Sequence, residues 1–259
     1  MLIIGAQRSG TSSLYKWLEA HPDVAASVRK ETEYLTRSFQ QGEVWYRSHF
    51  ASRFRHKVAK LRHRPLVTFE ATPTYLSHPL APERAAALVP GAKLIVLLRN
   101  PVTRAVSQYE HERSGGREPM TIDDAIAAEA DRVGRDLARL AIDPMYNARD
   151  LQRYSYLTRG RYAEQLERWF EKFDRSRVLV VRSEDMYDDP AKVYAEILDF
   201  LGLRRWQPRQ FVNQSYLTRP DATSTPVEVS DETRAWLRDY FRPHNVRLKE
   251  LLGRDFDWD

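Results

Sequence analysis

The chain contains no cysteine among its 259 residues. This absence excludes disulfide bonds and thiolate metal sites, and it fits a reducing compartment. No run of about 18 apolar residues is present either, so the sequence predicts no transmembrane helix. The chain begins Met1-Leu2-Ile3-Ile4, without the basic residues that open a secretory signal peptide. We therefore expect a cytoplasmic protein.

Motifs for metal and nucleic-acid binding are also missing. No His-Glu-x-x-His motif, cysteine pair or dense aspartate cluster occurs, so no metal site is expected. The net charge is +5, but the 41 lysines and arginines are dispersed among 36 acidic residues. This dispersal argues against a nucleic-acid partner, which needs a concentrated basic patch. The charge fits either a solvated arginine-rich surface or attraction of an anionic cofactor or substrate.

The order of apolar and amphipathic segments predicts the fold class. Short apolar runs alternate with helix-like segments, which is typical of a three-layer α/β/α protein with a mainly parallel central sheet. Strands are predicted at residues 1–5, 24–28, 66–70, 93–99 and 178–181. The length fits a single domain over 1–259. A charge-rich, irregular insertion at about 114–158 is interpreted as a lid or an acceptor-binding segment.

Residues 2–18 form the most informative part of the sequence. An apolar run ends at Gly5, a turn follows as far as Gly10, and a helix-like pattern begins at once. Backbone N–H groups and the positive end of a helix dipole favour an anion at such a turn. The glycine spacing matches a nucleotide-binding P-loop, but Thr11 stands where a P-loop NTPase needs lysine, and the loop carries Arg8 instead. We expect a nucleotide phosphate site that does not use a triphosphate–Mg²⁺ clamp.

A second strand–turn–helix segment, at residues 94–109, supplies another cation and another hydroxyl. Arg99 ends a continuous apolar strand, at the edge of the sheet where ligands bind in open α/β proteins. Ser107 follows eight residues later, about two turns into the helix predicted from Asn100-Pro101. An arginine and a hydroxyl placed in this way can bind a phosphate monoester. A strand-end salt bridge and a surface serine would give the same pattern.

Together these residues resemble the sulfotransferases that use 3′-phosphoadenosine 5′-phosphosulfate (PAPS). The resemblance is strongest to the heparan-sulfate type, the N- and 3-O-sulfotransferase domains and their bacterial relatives. It covers nearly the whole chain in an ordered series of motifs: residues 5–11, His21-Pro22-Asp23-Val24, Glu70-Ala71-Thr72-Pro73, Arg99-Asn100-Pro101 with Ser107, Gly160-Arg161-Tyr162 and Phe200-Leu201-Gly202-Leu203. The resemblance implies a P-loop-NTPase-like sulfotransferase fold. It also implies in-line transfer of a sulfuryl group to a hydroxyl or amine of a glycan or small-molecule acceptor, with PAP (adenosine 3′,5′-bisphosphate) as product and no metal.

The resemblance assigns cofactor binding to residues that lie at the two predicted phosphate sites. They are Arg8, Ser9, Gly10, Thr11 and Ser12 for the 5′-phosphosulfate, and Arg99 and Ser107 for the 3′-phosphate. Arg8 takes the place of the family's loop lysine and would neutralise charge as the sulfuryl group departs. Arg219 is the candidate for a cation that the relatives carry in a C-terminal loop near the cofactor.

The resemblance also implies a general base. Glu31 matches the catalytic glutamate of the heparan-type enzymes, and a carboxylate there could take the acceptor proton. Glu33 is a second candidate, and a merely solvated loop is the alternative. His111 follows Ser107 by one helical turn on the same face. It would assist the base or contact the acceptor, or else make an ordinary structural hydrogen bond.

The sequence departs from the heparan-type pattern at Ala71, where those enzymes carry a lysine that helps catalysis. This change puts a heparan-like acceptor in doubt and leaves more of the charge stabilisation to Arg8. The disulfide of the secreted relatives is absent too, which fits a bacterial cytoplasmic protein. Two other interpretations stay open: a P-loop-like kinase or NTPase, which Thr11 disfavours, and a catalytically inactive nucleotide-binding relative. Four arginines would either bind an anionic acceptor or form part of an ordinary solvated surface: Arg113, Arg117, Arg132 and Arg135.

Overall fold

The computed structural model describes residues 1–51, 57, 61, 66–214 and 229–258. Its chain divides into two compact units. The sheet unit comprises Met1–Leu98 and Phe170–Thr218, and the helical unit comprises Arg99–Trp169 and Arg219–Asp259. All strands in the described ranges belong to the sheet unit. A single domain over residues 1–259 stays a prediction.

Five parallel strands form the sheet, in the order β2-β3-β1-β4-β5. Their bounds are β1 Leu2–Gly5, β2 Val24–Ala26, β3 Val67–Ala71, β4 Leu94–Leu98 and β5 Val178–Arg182. This all-parallel sheet, with helices connecting its strands, confirms the predicted α/β class. All residues of β4 are buried, which is why the sequence shows an uninterrupted apolar run there.

The helices of the described ranges are numbered in chain order. They are α1 Thr11–Glu19, α2 Gly42–Ser48, α3 Ala81–Leu88, α4 Pro101–Ser114, α5 Ile122–Ala127, α6 Glu129–Ile142, α7 Arg149–Arg153, α8 Tyr162–Phe170, α9 Ser183–Asp188, α10 Pro190–Leu201 and α11 Asp231–Leu252. Within those ranges, no helix combines the length and the apolar character needed to span a bilayer.

The strand order places β1 at a switch point of the sheet. β2 and β3 lie on one side of β1, whereas β4 and β5 lie on the other. In open α/β sheets, ligands bind beyond the carboxyl ends of the strands where the order reverses in this way. The turn that follows β1 therefore lies where the fold itself favours a ligand site.

Two helices of the sheet unit, α1 and α10, pack on the strands through apolar residues at helical spacing. Leu14 and Leu18 of α1 lie in one buried cluster with Ile197 of α10 and Ile3 of β1. Burying a side chain of this size contributes about 1.5–3 kcal/mol. The helix whose N-terminus forms the phosphate loop is thus held on the sheet by its own hydrophobic face.

The helical unit begins with a well-capped helix. The Asn100 side chain accepts hydrogen bonds from the backbone N–H groups of Val102 and Thr103, at 2.9 and 3.3 Å. An asparagine cap followed by proline is a typical helix start, and the predicted start of this helix is confirmed. α4 packs through Val106 and Tyr109 into a buried cluster that includes Phe241 of α11.

Residues 114–158 are more regular than expected, since they contain α5, α6 and α7. The helix that the sequence predicts at about residues 121–131 is confirmed in part by α5, whereas the expectation that the remainder is irregular is wrong. The apolar pattern is weak here because buried carboxylates replace apolar side chains as packing elements. Glu129 accepts from the backbone N–H groups of Leu157 and Thr158 at 2.6 and 2.7 Å, and Asp136 accepts from that of Leu151 at 2.9 Å. That the segment forms a lid or binds the acceptor stays a prediction.

Candidate active site

The turn between β1 and α1 has the electrostatics of an anion site. Gly10 is the N-cap of α1, no side chain caps this end, and the first turn contains no acidic residue. The positive end of the helix dipole is therefore not neutralised by the helix's own first turn. Arg8 is exposed on the same turn and adds a cation.

Close contacts explain the two glycines of this loop. Gly10 has φ +92°, and a Cβ atom there would lie 2.6 Å from Tyr187 Oη. A Cβ atom on Gly5 would lie 2.6 Å from Leu76 Cβ. Glycine accepts the left-handed conformation at Gly10 without strain, and at Gly5 an added Cβ atom would collide with the Cβ atom of Leu76. The spacing that suggested a phosphate loop is thus required by the packing of the loop.

α9 fixes the loop through its first residue. The Ser183 hydroxyl donates to the Ser9 carbonyl at 2.9 Å. Ser9 itself is fully buried, and its N–H donates to the Ala6 carbonyl at 3.3 Å. The Ser9 hydroxyl has no hydrogen-bond partner among the described residues. Ser9 therefore helps to shape the loop, and its contact with the 5′-phosphosulfate stays a prediction.

Glu31, the predicted base, lies beside the loop. Its Oε1 atom accepts from Lys30 Nζ at 3.0 Å, and the same ammonium donates to Ser12 Oγ at 2.6 Å. The Glu31 side chain is 42% exposed, so a substrate can reach the carboxylate. Two predicted site residues are thus brought together by Lys30, a residue to which the sequence assigned no role. Its only sequence signal is its position directly before the candidate base.

Glu33, the second candidate base, is already paired. It forms an ion pair with Arg37, and its side chain is only 13% exposed. Burial raises the pKa of the Glu33 carboxyl. Its backbone N–H donates to Thr72 Oγ1 at 3.3 Å, in the left-handed conformation with φ +53°. Of the two glutamates, the geometry favours Glu31 as the group that meets an acceptor.

Glu70 is a buried carboxylate that sequence reasoning did not identify as an organising residue. It accepts hydrogen bonds from the hydroxyls of Thr32, Tyr46, Thr72 and Tyr75 at 2.9, 3.0, 2.7 and 2.8 Å. Complete burial raises the pKa of Glu70, although these four donors oppose the shift. Because Thr32 directly follows the candidate base, this cluster joins the base-bearing segment to β3.

In the helical unit, Arg99 and Ser107 lie at the start of α4 and two turns into it. The Arg99 carbonyl accepts from the Tyr162 hydroxyl at 2.8 Å, which holds the backbone at this point. Thr103 and Ser107 are half-buried and His111 is exposed, whereas the residues between them on the helix are mostly buried. These three side chains share one accessible stripe of α4, as predicted for Ser107 and His111.

The stripe ends at an imidazole near a carboxylate. His111 Nε2 lies 4.0 Å from Glu112 Oε1, and 44% of the His111 side chain is exposed. The imidazole is therefore accessible to solvent or to a ligand. Whether it assists Glu31 stays a prediction.

The four arginines considered for an anionic acceptor all contact groups of the helical unit. The contacts are Arg113 Nη1 to the Met120 carbonyl at 3.0 Å, Arg117 Nε to Glu112 at 2.6 Å, Arg132 Nη1 to Glu118 at 2.6 Å and Arg135 Nη2 to Asp150 at 3.9 Å. These contacts give each arginine a partner within its own unit, and the binding of an anionic acceptor by any of them stays a prediction. Arg219, the candidate C-terminal cation, lies outside the described residues.

Residues 1–225 match the protein family described as "Sulfotransferase domain". The chain belongs to this sulfotransferase domain family. The resemblance inferred from the phosphate loop and the Arg99–Ser107 segment is thereby confirmed. Among curated sulfotransferases, the mouse protein "Heparan sulfate glucosamine 3-O-sulfotransferase 3B1" is 30% identical over 275 residues, which include 100% of this chain. The chain spans 64% of the length of that relative.

Solved sulfotransferase structures share the fold. A sulfotransferase from Alicyclobacillus acidocaldarius superposes with a TM-score of 0.72 at 27% identity, covering 99% of this chain and 97% of its own. A mouse sulfotransferase complexed with PAP gives a TM-score of 0.51 at 16% identity, covering 99% of this chain and 84% of its own. The predicted sulfotransferase fold is confirmed by these likenesses and by the parallel sheet.

The position at which this family member departs from the heparan-type pattern lies in the core. Ala71 ends β3, is fully buried and packs in the same apolar cluster as Leu14 and Leu18. Its backbone N–H donates to the Lys30 carbonyl at 3.2 Å. Lys30, in the segment that follows β2, is therefore a backbone neighbour of this position, although the two residues are far apart in sequence.

Proposed function

We propose that this sulfotransferase-family chain transfers a sulfuryl group from PAPS to a hydroxyl or amine of a glycan or small-molecule acceptor. The observation that carries the proposal is the contact chain from Ser12 through Lys30 to Glu31. Through these two hydrogen bonds a carboxylate lies beside the N-terminal turn of α1, which is the proposed anion site. A negative charge there opposes anion binding by Coulomb repulsion. A site that only bound phosphate would gain nothing from Glu31, whereas a base is needed for transfer.

The loop residues fit the 5′ end of PAPS. Their donor set consists of first-turn N–H groups, the hydroxyls of Thr11 and Ser12 and the Arg8 guanidinium, with no carboxylate in the first turn of α1. Such donors form charge-assisted hydrogen bonds with phosphate and sulfonate oxygens. The PAP bound by the mouse structural neighbour supports the same ligand class here.

Arg99 and Ser107 are the proposed ligands of the 3′-phosphate. This phosphate distinguishes PAPS from ATP, so the pair would decide which nucleotide is accepted. The hydrogen bond from Tyr162 to the Arg99 carbonyl and the Asn100 cap fix the backbone that follows the arginine. A preorganised cation binds an anion without the entropic cost of ordering the chain.

The proposed reaction is an in-line displacement at sulfur. An acceptor oxygen or nitrogen forms the new bond to sulfur while the bond from sulfur to the 5′-phosphate oxygen breaks. The departing phosphate takes the bonding electron pair and leaves as PAP, and Glu31 takes the acceptor proton. Arg8 and the α1 N-terminus stabilise the charge that develops on the departing oxygen. As in phosphoryl transfer, positioning and electrostatics supply most of the catalysis.

The other proposed residues have supporting roles. His111 would contact the acceptor or assist proton removal from the accessible stripe of α4, and Arg219 would add a cation near the nucleotide. A kinase or NTPase activity is not favoured, because Thr11 replaces the lysine that contacts the β- and γ-phosphates. A bacterial, cytoplasmic protein is also proposed: the structural neighbour from Alicyclobacillus acidocaldarius supports the bacterial source, and the absence of cysteine supports a reducing compartment.

Calorimetric titration with PAP tests the proposal. The protein is expected to bind PAP, and Arg99→Ala is expected to weaken PAP binding about 10- to 100-fold by removing a charge-assisted contact. Adenosine 5′-monophosphate, which lacks the 3′-phosphate, should bind wild type and variant equally. No measurable PAP binding by the wild-type protein would overturn the proposal.

Transfer itself is tested with radiolabelled PAPS and a panel of acceptors that contains sugar hydroxyls, sugar amines and small phenols. We expect label in at least one acceptor. PAP binding without transfer to any of them would favour the inactive nucleotide-binding relative, and turnover of Mg²⁺–ATP would favour the kinase or NTPase.

A further inference from the structure

The position of Lys30 is set by backbone contacts along the end of the sheet. Beyond β2, the Ser27 N–H donates to the Phe69 carbonyl at 2.8 Å, and the Ala71 N–H donates to the Lys30 carbonyl at 3.2 Å. The segment that carries Lys30 therefore continues beside β3 to the last residue of that strand. This pairing brings a lysine to the carboxyl end of the sheet, where β3 itself ends on a buried alanine.

The side chain of Lys30 reaches from this segment to the phosphate loop. Its ammonium donates to Ser12 Oγ at 2.6 Å and to Glu31 Oε1 at 3.0 Å, and 31% of the side chain is exposed. Lysine has three N–H donors, and these are the two side-chain acceptors seen for it in the described part of the chain. The contact with Ser12 joins residues that are 18 positions apart, so it is not a local pairing of neighbours.

Ordinary surface pairing does not account for this geometry. An exposed lysine–carboxylate pair contributes little to stability, and Glu31 alone would satisfy a surface lysine. Here the lysine side chain is about two-thirds buried, and its ammonium also contacts a hydroxyl in the first turn of α1. Because Lys30 occupies Ser12 Oγ as an acceptor, the Ser12 hydroxyl proton is directed to another acceptor. An anion on the loop would provide one.

We infer that Lys30 is a catalytic residue of the proposed transfer, and that its ammonium contacts the 5′-phosphosulfate as a second cation beside Arg8. The inference rests on the proposed function. An oxygen bound by Ser12 Oγ lies within about 5 Å of Lys30 Nζ, because hydrogen bonds to hydroxyls are about 2.7 Å long. Rotation of the terminal bonds of the lysine closes that gap.

The charges of the transfer fit this position. As the bond from sulfur to the 5′-phosphate oxygen breaks, negative charge builds on the departing phosphate while Glu31 takes the acceptor proton. Lys30 then gains attraction to the phosphate and loses attraction to the neutralised Glu31. The ammonium can therefore move from the base to the leaving group as the charges change. Arg8 stays charged throughout and supplies a fixed cation.

The first experiment separates contacts with the 5′-phosphate from contacts with the rest of the ligand. PAP and adenosine 3′-monophosphate, which lacks the 5′-phosphate, are titrated into wild type, Lys30→Met and the control Lys249→Ala. Methionine keeps the apolar stem of lysine, and Lys249 also pairs with a carboxylate, Asp255, at 2.6 Å. We expect Lys30→Met to weaken PAP binding about 10- to 100-fold and to change binding of the monophosphate less than about twofold. The control should change neither.

A second measurement tests direct contact against an effect through the loop hydroxyl. In a double-mutant cycle, Lys30→Met is repeated in a Ser12→Ala background. A direct contact predicts that the loss in PAP affinity remains at least about tenfold there. A loss that vanishes in this background, or equal losses for PAP and the monophosphate, overturns the inference. If wild type itself binds PAP no more tightly than the monophosphate, the proposed function fails first, so the two failures are distinguishable.

Discussion

Glu70→Ala is expected to lower the free energy of unfolding by about 3–5 kcal/mol. The fully buried carboxylate accepts from four hydroxyls at 2.7–3.0 Å. Each hydrogen bond to a charged group contributes about 1.5–3 kcal/mol, and each buried hydroxyl left without a partner is unfavourable. Two effects make the expected loss smaller than the sum of these contributions. Removing the carboxylate relieves its desolvation penalty. In addition, Thr32 Oγ1 lies 3.1 Å from Tyr75 Oη, so these two hydroxyls can hydrogen-bond to each other.

Urea unfolding followed by tryptophan fluorescence measures this difference at neutral pH. Glu70→Gln is the matched control, because it keeps the shape and one acceptor oxygen, and it should lose less stability than the alanine variant. A loss of 3–5 kcal/mol is a large part of the roughly 5–15 kcal/mol that stabilises a typical domain. An alanine variant within about 1 kcal/mol of wild type would refute the reasoning that the hydroxyl cluster holds this segment on β3.

The change of stability with pH, compared between wild type and Glu70→Gln, is an independent test of the role of Glu70. Burial raises the pKa of Glu70, so the folded protein holds this proton more tightly than the unfolded chain does. The resulting stability is fully present below the unfolded-state pKa of about 4.3 and is lost as the pH rises through the raised folded-state pKa. The stability of wild type relative to Glu70→Gln should therefore fall over that interval and then level off. A relative stability that increases with pH would contradict the direction of the shift.

Two further predictions concern the loop and the base. Glu31→Gln should lower kcat for sulfuryl transfer about 10²- to 10⁴-fold, while PAP affinity, measured by calorimetry, should not fall, because a negative charge near the loop is removed. The control Glu33→Gln should retain most of the activity, and equal losses of kcat in the two variants would show that the base is misassigned. Gly10→Ala should weaken PAP binding at least about tenfold and lower stability by about 1–3 kcal/mol, because the residue is left-handed and its Cβ would meet Tyr187. Gly91→Ala, where nothing lies within 4 Å of the added atom, is the control for calorimetry and thermal unfolding, and equal behaviour of the two variants would refute the prediction.

Features encoded by neighbouring residues were predictable from the sequence. The unit from β1 through the loop to α1 is one: an apolar run, two glycines and an amphipathic helix follow one another within 19 residues. The Asn100 cap is another, because its acceptors and donors are only two and three positions apart. Local backbone conformation decides both features, so the order of residues is sufficient to recognise them.

Contacts between distant segments were not predictable in this way. Lys30 and Ser12 are 18 positions apart, and Glu70 binds Thr32 across 38 positions. Neither pair shows a periodic pattern, because each joins a loop to a separately formed element. Most of α6 was missed for a related reason, since Glu129 and Asp136 are buried as acceptors for backbone N–H groups and not as apolar contacts.

The sequence by itself determined the α/β class and the glycine-bounded turn after β1, because strand and helix periodicity and turn glycines are local properties. Its resemblance to the sulfotransferases supplied the candidate base. Only the tertiary structure decided that Lys30 joins that turn to Glu31, and that Glu70 holds the following residue on β3. The physical reason is the pairing of parallel strands, which brings the carboxyl ends of β2 and β3 together whatever their separation along the chain.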